Sequence, residues 1–444
     1  IHSEDESKDF LWPLLRDTLA YSAGLVGEIC DHLYQIDQAM RWGWGWSHGP
    51  FEIWEGLGAL KIAERIQKDG IKLPDWVLDA LSLQGGFFYA ESDPPSFFDQ
   101  HLSIHQEIPL DSENLNIEFL QTKNPPILSN KSASLIDLGE GVVCLEFHSK
   151  MNTLDEQLID LALESTKLVA CDFRALVIGN QGLNFSVGAN LERLLDSCKK
   201  RSWQEIETRI NRFQGFCNGL QKAPFPVVAV PFRQTLAGGM EICLHCDRLV
   251  SAAELYMGLV EVGVGLVPAG GGCRQMLLRN QPPNTFDRQR QHRAVLKVFR
   301  AIGAAKVSGS AFEAKEINFL HERDKIEIVE DRLLFRAKQT AIGLSVDYHP
   351  PSLLPIIACG VPGLANLELE IHLMKRAGYL SDHDVLIMNK LASVLCGGNL
   401  TQVTVFGEEH FSGLEKEAFL SLCGEQKTQQ RIQYMLETGK SLKN

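Results

Sequence analysis

The chain has 444 residues, 45% hydrophobic and 22% charged, an ordinary globular composition with room for roughly two to four cores. Its net charge of −13 argues against nucleic acid or an anionic membrane as main partner, because phosphate binding needs clustered Lys and Arg. No run of about 18 apolar residues is present to span a bilayer. The opening IHSEDESKD is polar and acidic, unlike a signal peptide, and its start on Ile1 predicts a piece of a longer protein. Eleven cysteines, an odd number scattered through apolar contexts, predict buried thiols in a reducing, cytoplasmic compartment. Cys243 and Cys246 form a CxxC, but inside a helical pattern with no second ligand pair, so packing is favoured over zinc or redox chemistry.

Phe10, Leu14, Leu19, Ala23, Val26, Ile29, Leu33, Ile36 and Met40 recur mostly at three and four, which predicts one long helix over 9–41. RWGWGWSHGP (41–50) follows as a Trp/Gly turn expected to be tightly packed. Helices are predicted again over 51–68 and 75–83, so residues 1–110 read as a small all-α domain. Gly43, Gly45 and Gly49 lack the preceding strand and the spacing of a dinucleotide fingerprint. QGGFFYAESDPPSFFDQH suggests an irregular surface arm, and the Pro/Ser/Asn-rich TKNPPILSNKSASL places a linker over 111–135.

From Gly141 strands and helices alternate: GVVCLEFHS, then MNTLDEQLIDLALEST, CDFRALVIGNQ, FSVGANLERLLDS, a helix over 203–223, and the buried strand PFPVVAVPF. This alternation predicts an α/β domain of stacked ββα units over 136–325, with a helical C-terminal region over 326–444. Two carboxylates stand out. Glu241 follows Ala237-Gly238-Gly239 at a helix start, and Glu261 precedes Gly263 and Gly265. Glycines let backbone approach a ligand while nearby acids reach its reacting atoms. An isolated Glu in a first helical turn is otherwise a dipole contact.

SKMNTL (149–154), NFSVGANL (184–191) and TLAGGMEICLHCD through GLVEVGVGLVPAGGG occur in an order and spacing that resemble the crotonase, or enoyl-CoA hydratase/isomerase, superfamily. VSGSAFEAKEINFL (307–320) extends the likeness. The resemblance implies a crotonase-like α/β fold and water addition to an α,β-unsaturated thioester, which needs two N–H donors on the carbonyl oxygen, a base for water and an acid for Cα. It assigns the oxyanion N–H groups to Ala189 and Gly238 and the acid/base pair to Glu241 and Glu261. It places coenzyme A and substrate against Lys150, Met151, Asn152, Phe185, Val187 and Gly188. Leu191, Leu194 and Leu195 are candidates for the acyl tunnel, with core packing the alternative. Asn190 stands where the family usually has Asp, and Ala237 and Met240 replace its usual Gly and Cys.

IDQAMRWGWGWSHGPFEIWEGLG (36–58) resembles the C-terminal helical domain of 3-hydroxyacyl-CoA dehydrogenases. The order of the two likenesses is that of bacterial bifunctional proteins in which the dehydrogenase precedes the hydratase. The implied function is hydration of 2-trans-enoyl-CoA to 3-hydroxyacyl-CoA in fatty-acid β-oxidation, with dehydrogenase activity absent from this chain. Hydration implies no cofactor beyond the coenzyme A of the substrate, and NAD is expected only with an upstream domain. An enoyl-CoA isomerase and an inactive CoA-binding scaffold are the alternatives. A homo-oligomer and a thiolase partner are expected, with no nucleic acid and no membrane span. SDHD (381–384) reads as an N-cap rather than a metal site. NTFDRQRQH (284–292) reads as a mobile surface loop, and the tail helix with Ile432, Met435 and Leu436 as a docking element for another domain or subunit.

Overall fold

The computed structural model describes residues 7–82, 86–90, 95–109, 113–281, 287–352, 354–401 and 403–444. The chain divides into two compact units, 1–112 and 113–444.

In the first unit the helical pattern over 9–41 is two helices, Ser7–Leu25 and Leu33–Trp44. The break lies at Gly27, whose φ of +88° is a left-handed turn and whose N–H donates to Cys30 O at 2.7 Å. The side chain of Ile29, in phase with the helix, is 67% exposed as a result. The pattern over 51–68 is likewise split into Pro50–Gly56 and Ala59–Lys68 at the left-handed Gly58, and Asp75–Ser82 follows. The Trp/Gly turn is not tightly packed throughout: Trp44 and Trp46, on either side of the left-handed C-cap Gly45, are 77% and 37% exposed. Its close contact is at Gly49, where a Cβ would come within 2.3 Å of Asp37.

Asp37 explains that contact. Its buried carboxylate accepts from Phe51 N–H (2.9 Å) and Glu52 N–H (3.0 Å), capping the helix Pro50–Gly56 from a distant helix, and from Tyr89 Oη–H (2.6 Å). The segment expected as an irregular arm forms a three-stranded antiparallel sheet of β1 (Tyr89–Ala90), β2 (Ser96–Asp99) and β3 (Ile104–Glu107). Phe88, Phe97 and Phe98 are buried in the same core as Phe51, Trp54 and Val77. That burial holds a sheet whose strands are only two to four residues long.

The second unit is built on a seven-stranded sheet. Its strands in chain order are β4 (Leu128–Ser129), β5 (Ala133–Gly139), β6 (Val142–Phe147), β7 (Ala175–Gly179), β8 (Val227–Ala229), β10 (Arg248–Ala252) and β12 (Lys325–Glu327), and they lie side by side in that sequence. The pair β9 (Arg233–Leu236) and β11 (Leu255–Gly258) forms a separate parallel ribbon. β4 to β6 pair antiparallel, and β6 to β12 pair parallel. β7 and β8 are buried at every position, as central strands covered on both faces must be. The expected linker is therefore partly structured. The helix Ile117–Lys123 and strands β4 and β5 lie there, with Ile117, Ala133 and Leu135 in the core.

The C-terminal helices share this core rather than forming a separate body. Leu334, Ile371, Leu391, Leu422 and Ile432 are buried in one cluster with Val177 and Leu244. The tail helix Gln426–Thr438 thus docks on its own unit, and Thr428 Oγ1 donates to Gly265 O at 3.0 Å. SDHD is a capping box: Asp384 N–H donates to Ser381 Oγ, and Ser381 N–H donates to Asp384 Oδ2. Residues 284–286 of NTFDRQRQH lie outside the described residues. The rest of that segment opens the helix Arg288–Gly303, capped by Asp287. Among the described residues no helix is long and apolar enough to cross a membrane.

Candidate active site

The three motifs singled out in the sequence run side by side. Leu154 N–H donates to Gly188 O (2.9 Å), Ser186 N–H to Gln234 O (3.2 Å), and Leu236 N–H to Ser186 O (2.9 Å). Segments 149–154, 184–190 and 233–238 are thereby laddered together, with Ser186 Oγ–H donating to Asn152 O at 2.7 Å. A Cβ on the left-handed Gly188 would stand 2.8 Å from Ala237 Cβ and 3.2 Å from Gly238 N, so the second and third motifs abut there.

At this junction Ala237 holds φ +49° and ψ −123°, a backbone region that costs a non-glycine residue on the order of 1–3 kcal/mol. Its N–H donates to Gly258 O and its carbonyl accepts from Glu241 N–H, which fixes the helix start. Gly238 is the first residue of the helix Gly238–Leu244, where an N–H has no acceptor within its helix. Ala189 is exposed on the facing loop, one residue before the N-cap Asn190. Asn190 Oδ1 accepts from Arg193 N–H at 3.1 Å, so Asn supplies the capping oxygen without a charge.

A cavity of ≈ 170 Å³ opens beside these loops. Ala189, Gly238, Glu241 and Glu261 all line it, with apolar walls that include Leu154, Ile159, Leu194, Ile210, Phe213 and Phe419. Of the three tunnel candidates only Leu194 faces it; Leu191 and Leu195 pack in the core. Lys150, Met151, Asn152, Phe185, Val187 and Gly188 are not among the lining residues. Lys150 and Met151 are exposed on a surface turn. Asn152 is buried and donates to Asn184 O at 2.8 Å, a strut between the first two motifs. Phe185 corrects the expectation of a pocket-shaping ring. It is fully buried against Phe147, 5.9 Å between centroids, and has no face left for a ligand.

The two glutamates are buried but differently satisfied. Glu241 Oε1 accepts from Gly270 N–H (2.7 Å) and Gly272 N–H (2.8 Å). Burial raises its pKa to about 7 against the lowering effect of those two bonds. Glu261 Oε2 is buried with no hydrogen-bond partner, and burial, with the neighbouring Glu241 charge, pushes its carboxyl well above the ordinary range. The pair is thus poised for one ionised and one protonated carboxyl near neutrality.

Sequence reasoning missed a third buried acid, Glu415 of the helix Glu408–Cys423, which accepts from Gly271 N–H and Arg274 N–H. It also missed the network beneath Glu241. His245 Nδ1–H donates to Glu241 O (2.7 Å), and His245 Nε2 accepts from the buried Arg274 (2.8 Å). Burial, reinforced by that guanidinium, lowers His245 to about 3, so it is a neutral strut. Gly43 lies inside the helix Leu33–Trp44 and residues 45–49 follow that helix rather than a strand, so the segment does not fit a dinucleotide site.

Residues 137–288 match the enoyl-CoA hydratase/isomerase family. They form a crotonase-type domain. The crotonase-like α/β fold, with helices flanking the central sheet, agrees with the strand order and the laddered motifs. The whole chain is 40% identical to the "Probable 3-hydroxyacyl-CoA dehydrogenase" of Bacillus subtilis, covering 100% of this chain and 56% of that protein. Over 96% of this chain it is 25% identical to a Rickettsia felis protein provisionally named a fatty acid oxidation complex trifunctional enzyme, of which it covers 52%. Human mitochondrial methylglutaconyl-CoA hydratase is 29% identical over 129 residues, 28% of this chain and 37% of that one. The chain spans about half the length of the first two relatives.

Proposed function

We propose that the crotonase-type domain hydrates 2-trans-enoyl-CoA to 3-hydroxyacyl-CoA. The observation that carries this reading is the pair Glu241 and Glu261 on one apolar cavity, in environments that separate their proton affinities. Glu241, its Oε1 held by two backbone N–H groups, takes a proton from water as the oxygen bonds to Cβ of the enoyl group. The π electrons move toward the thioester carbonyl, and the N–H groups of Ala189 and Gly238 stabilise the oxyanion. Glu261 delivers its proton to Cα, so one water is added across the double bond. The substrate supplies the coenzyme A, and its contacts with the backbone of the loops at 150–152 and 187–188 belong to the same proposal.

The printed names of the longer relatives support a setting in fatty-acid oxidation. A cytoplasmic location, a homo-oligomer and a thiolase partner belong to the same proposal on the family resemblance alone. NAD-dependent oxidation of the product belongs in this proposal to the remainder of such a longer protein. The test is loss of the conjugated thioester absorbance of crotonyl-CoA, followed for this chain and for Glu241→Gln and Glu261→Gln. Turnover abolished by both substitutions is the expected result. No turnover with either short or long enoyl-CoA substrates would overturn the reading.

A further inference from the structure

The bend Ala269–Gly272 passes between two buried carboxylates, and its successive amides alternate between them. Gly270 N–H and Gly272 N–H point to Glu241 Oε1; Gly271 N–H donates to Glu415 Oε2 at 2.7 Å and Arg274 N–H to Glu415 Oε1 at 2.9 Å. The bend is closely packed on the side of its glycines. A Cβ on Gly270 would stand 2.2 Å from Phe213 Cε1, and one on Gly271 (φ +105°) 2.8 Å from His245. Glu415 lies outside the segment that matches the hydratase/isomerase family, and it does not line the cavity.

From this clamp we infer that Glu415 is a positioning residue for the hydratase reaction, holding the glycine bend so that its amides fix the carboxylate of Glu241. The inference rests on the hydratase reading. It acts by two separable routes. One is geometric: without the Gly271 and Arg274 anchors the bend shifts, and a displacement near 1 Å at a catalytic group costs about 10²-fold in rate. The other is electrostatic. The charged or titratable groups facing Glu415 are Glu241 on the helix Gly238–Leu244, Glu261 on its turn, Arg274 and Cys273 on the helix Gly272–Asn280, and Cys217 on the helix Trp203–Gln221. Glu415 and Glu241 both raise the carboxyl of Glu261, so removing Glu415 lowers the pH at which Glu261 loses its proton.

The experiment compares crotonyl-CoA hydration by the full chain, Glu415→Gln and Glu415→Asp across pH 6 to 9, with amide hydrogen exchange of the 269–276 segment. In Glu415→Gln the expected results are a kcat loss of about tenfold to a hundredfold with little change in KM, an upper pH limb moved to lower pH, and faster exchange. Glu415→Asp keeps the charge but shortens the reach, so kcat should fall while the upper limb stays. Wild-type kcat and limb in Glu415→Gln would overturn the positioning role and leave the hydratase reading standing. If the wild-type chain hydrates no enoyl-CoA, the hydratase reading falls, and with it the catalytic half of the inference. The exchange measurement then still decides whether Glu415 holds the bend, and unchanged exchange would overturn that part independently.

Discussion

Glu241 and Glu261 reach one cavity in opposite states of satisfaction: two backbone N–H groups converge on Glu241 Oε1, while Glu261 Oε2 is buried with no hydrogen-bond partner. The contrast separates the consequences of removing each acid. Glu241→Gln retains an oxygen for Gly270 and Gly272 but loses the base, so kcat should fall by about 10²–10⁴-fold with the fold intact. Glu261→Gln should lose a similar factor. Because the folded chain keeps Glu261 protonated at a pH where the unfolded chain ionises it, removing this acid lifts that penalty and should leave stability at pH 8 unchanged or higher. Steady-state rates with urea unfolding check both. A Glu261→Gln variant that is much less stable at pH 8 would contradict this account of its environment.

The buried acids also set how stability responds to pH. Burial raises Glu241 to about 7, Glu415 to about 8 and Glu261 well above the ordinary carboxylate range, so each keeps a proton in the folded chain that the unfolded chain has released. Stability from these groups is complete below about pH 4.5 and is lost as pH rises through their folded values. His245 and His321, lowered by burial to about 3 and about 4, act in the opposite sense, and their contribution is lost as pH falls below 6.5. Between pH 6.5 and 8 the carboxylates dominate. The unfolding free energy of the larger unit should therefore fall as pH rises, by at most about 1.4 kcal/mol per unit for each group. Urea titrations at pH 6.5 and 8 measure this, and a rise across the window would contradict it.

Gly238 is a position where a methyl group must enter the cavity wall. A Cβ there would lie 2.7 Å from Leu154 Cδ1 and 3.3 Å from Phe213 Cζ, both cavity-lining side chains. Leu154 ends in a flexible isobutyl group that can turn aside, so Gly238→Ala should fold while narrowing the site. The expected result is a fall in kcat/KM of roughly tenfold or more, with stability reduced by only about 1 kcal/mol. Gly239→Ala makes a useful contrast. Its Cβ would meet Ser186 Cβ at 2.8 Å and Ser186 O at 2.9 Å, where backbone must move, and stability should fall by about 1–3 kcal/mol. Thermal unfolding and turnover of the two variants distinguish these effects.

What the sequence disclosed was local. The cap at Ser381, the helix over 203–223 and the three adjacent motifs depend on short patterns whose chemistry is visible residue by residue. Contacts across long separations were not legible. Glu415 is an ordinary helical Glu until the fold sets it against Gly271, 144 residues away. Phe213 and Ile210 sit on a stripe that reads as core packing, and nothing in the spacing marks that part of it faces a cavity. Phe185, inside a recognisable motif, reads as a ligand contact because its burial depends on Phe147 of β6, distant in sequence. The single helix expected over 9–41 failed for the reverse reason: apolar spacing continued across a turn that Gly27 could form.

Asp37 shows the same dependence in the first unit and yields a prediction for that unit alone. One carboxylate serves Phe51 N–H, Glu52 N–H and the Tyr89 hydroxyl, tying the helix Leu33–Trp44 to the helix Pro50–Gly56 and to β1. Burial holds its pKa up at about 7 despite those three donors. Asp37→Ala removes the acceptor for all of them and leaves two helix-start amides and a hydroxyl without a partner, which should cost about 2–4 kcal/mol. Asp37→Asn keeps one acceptor oxygen and should fall between the two. For a unit of this size the alanine variant corresponds to a midpoint lowered by roughly 10 °C or more. Thermal unfolding followed by tryptophan fluorescence reads it, since Trp54 and Trp76 pack in this core. An unchanged midpoint in Asp37→Ala would mean that hydrophobic packing around Phe51 and Trp54, rather than the shared carboxylate, orders the Pro50–Gly56 helix.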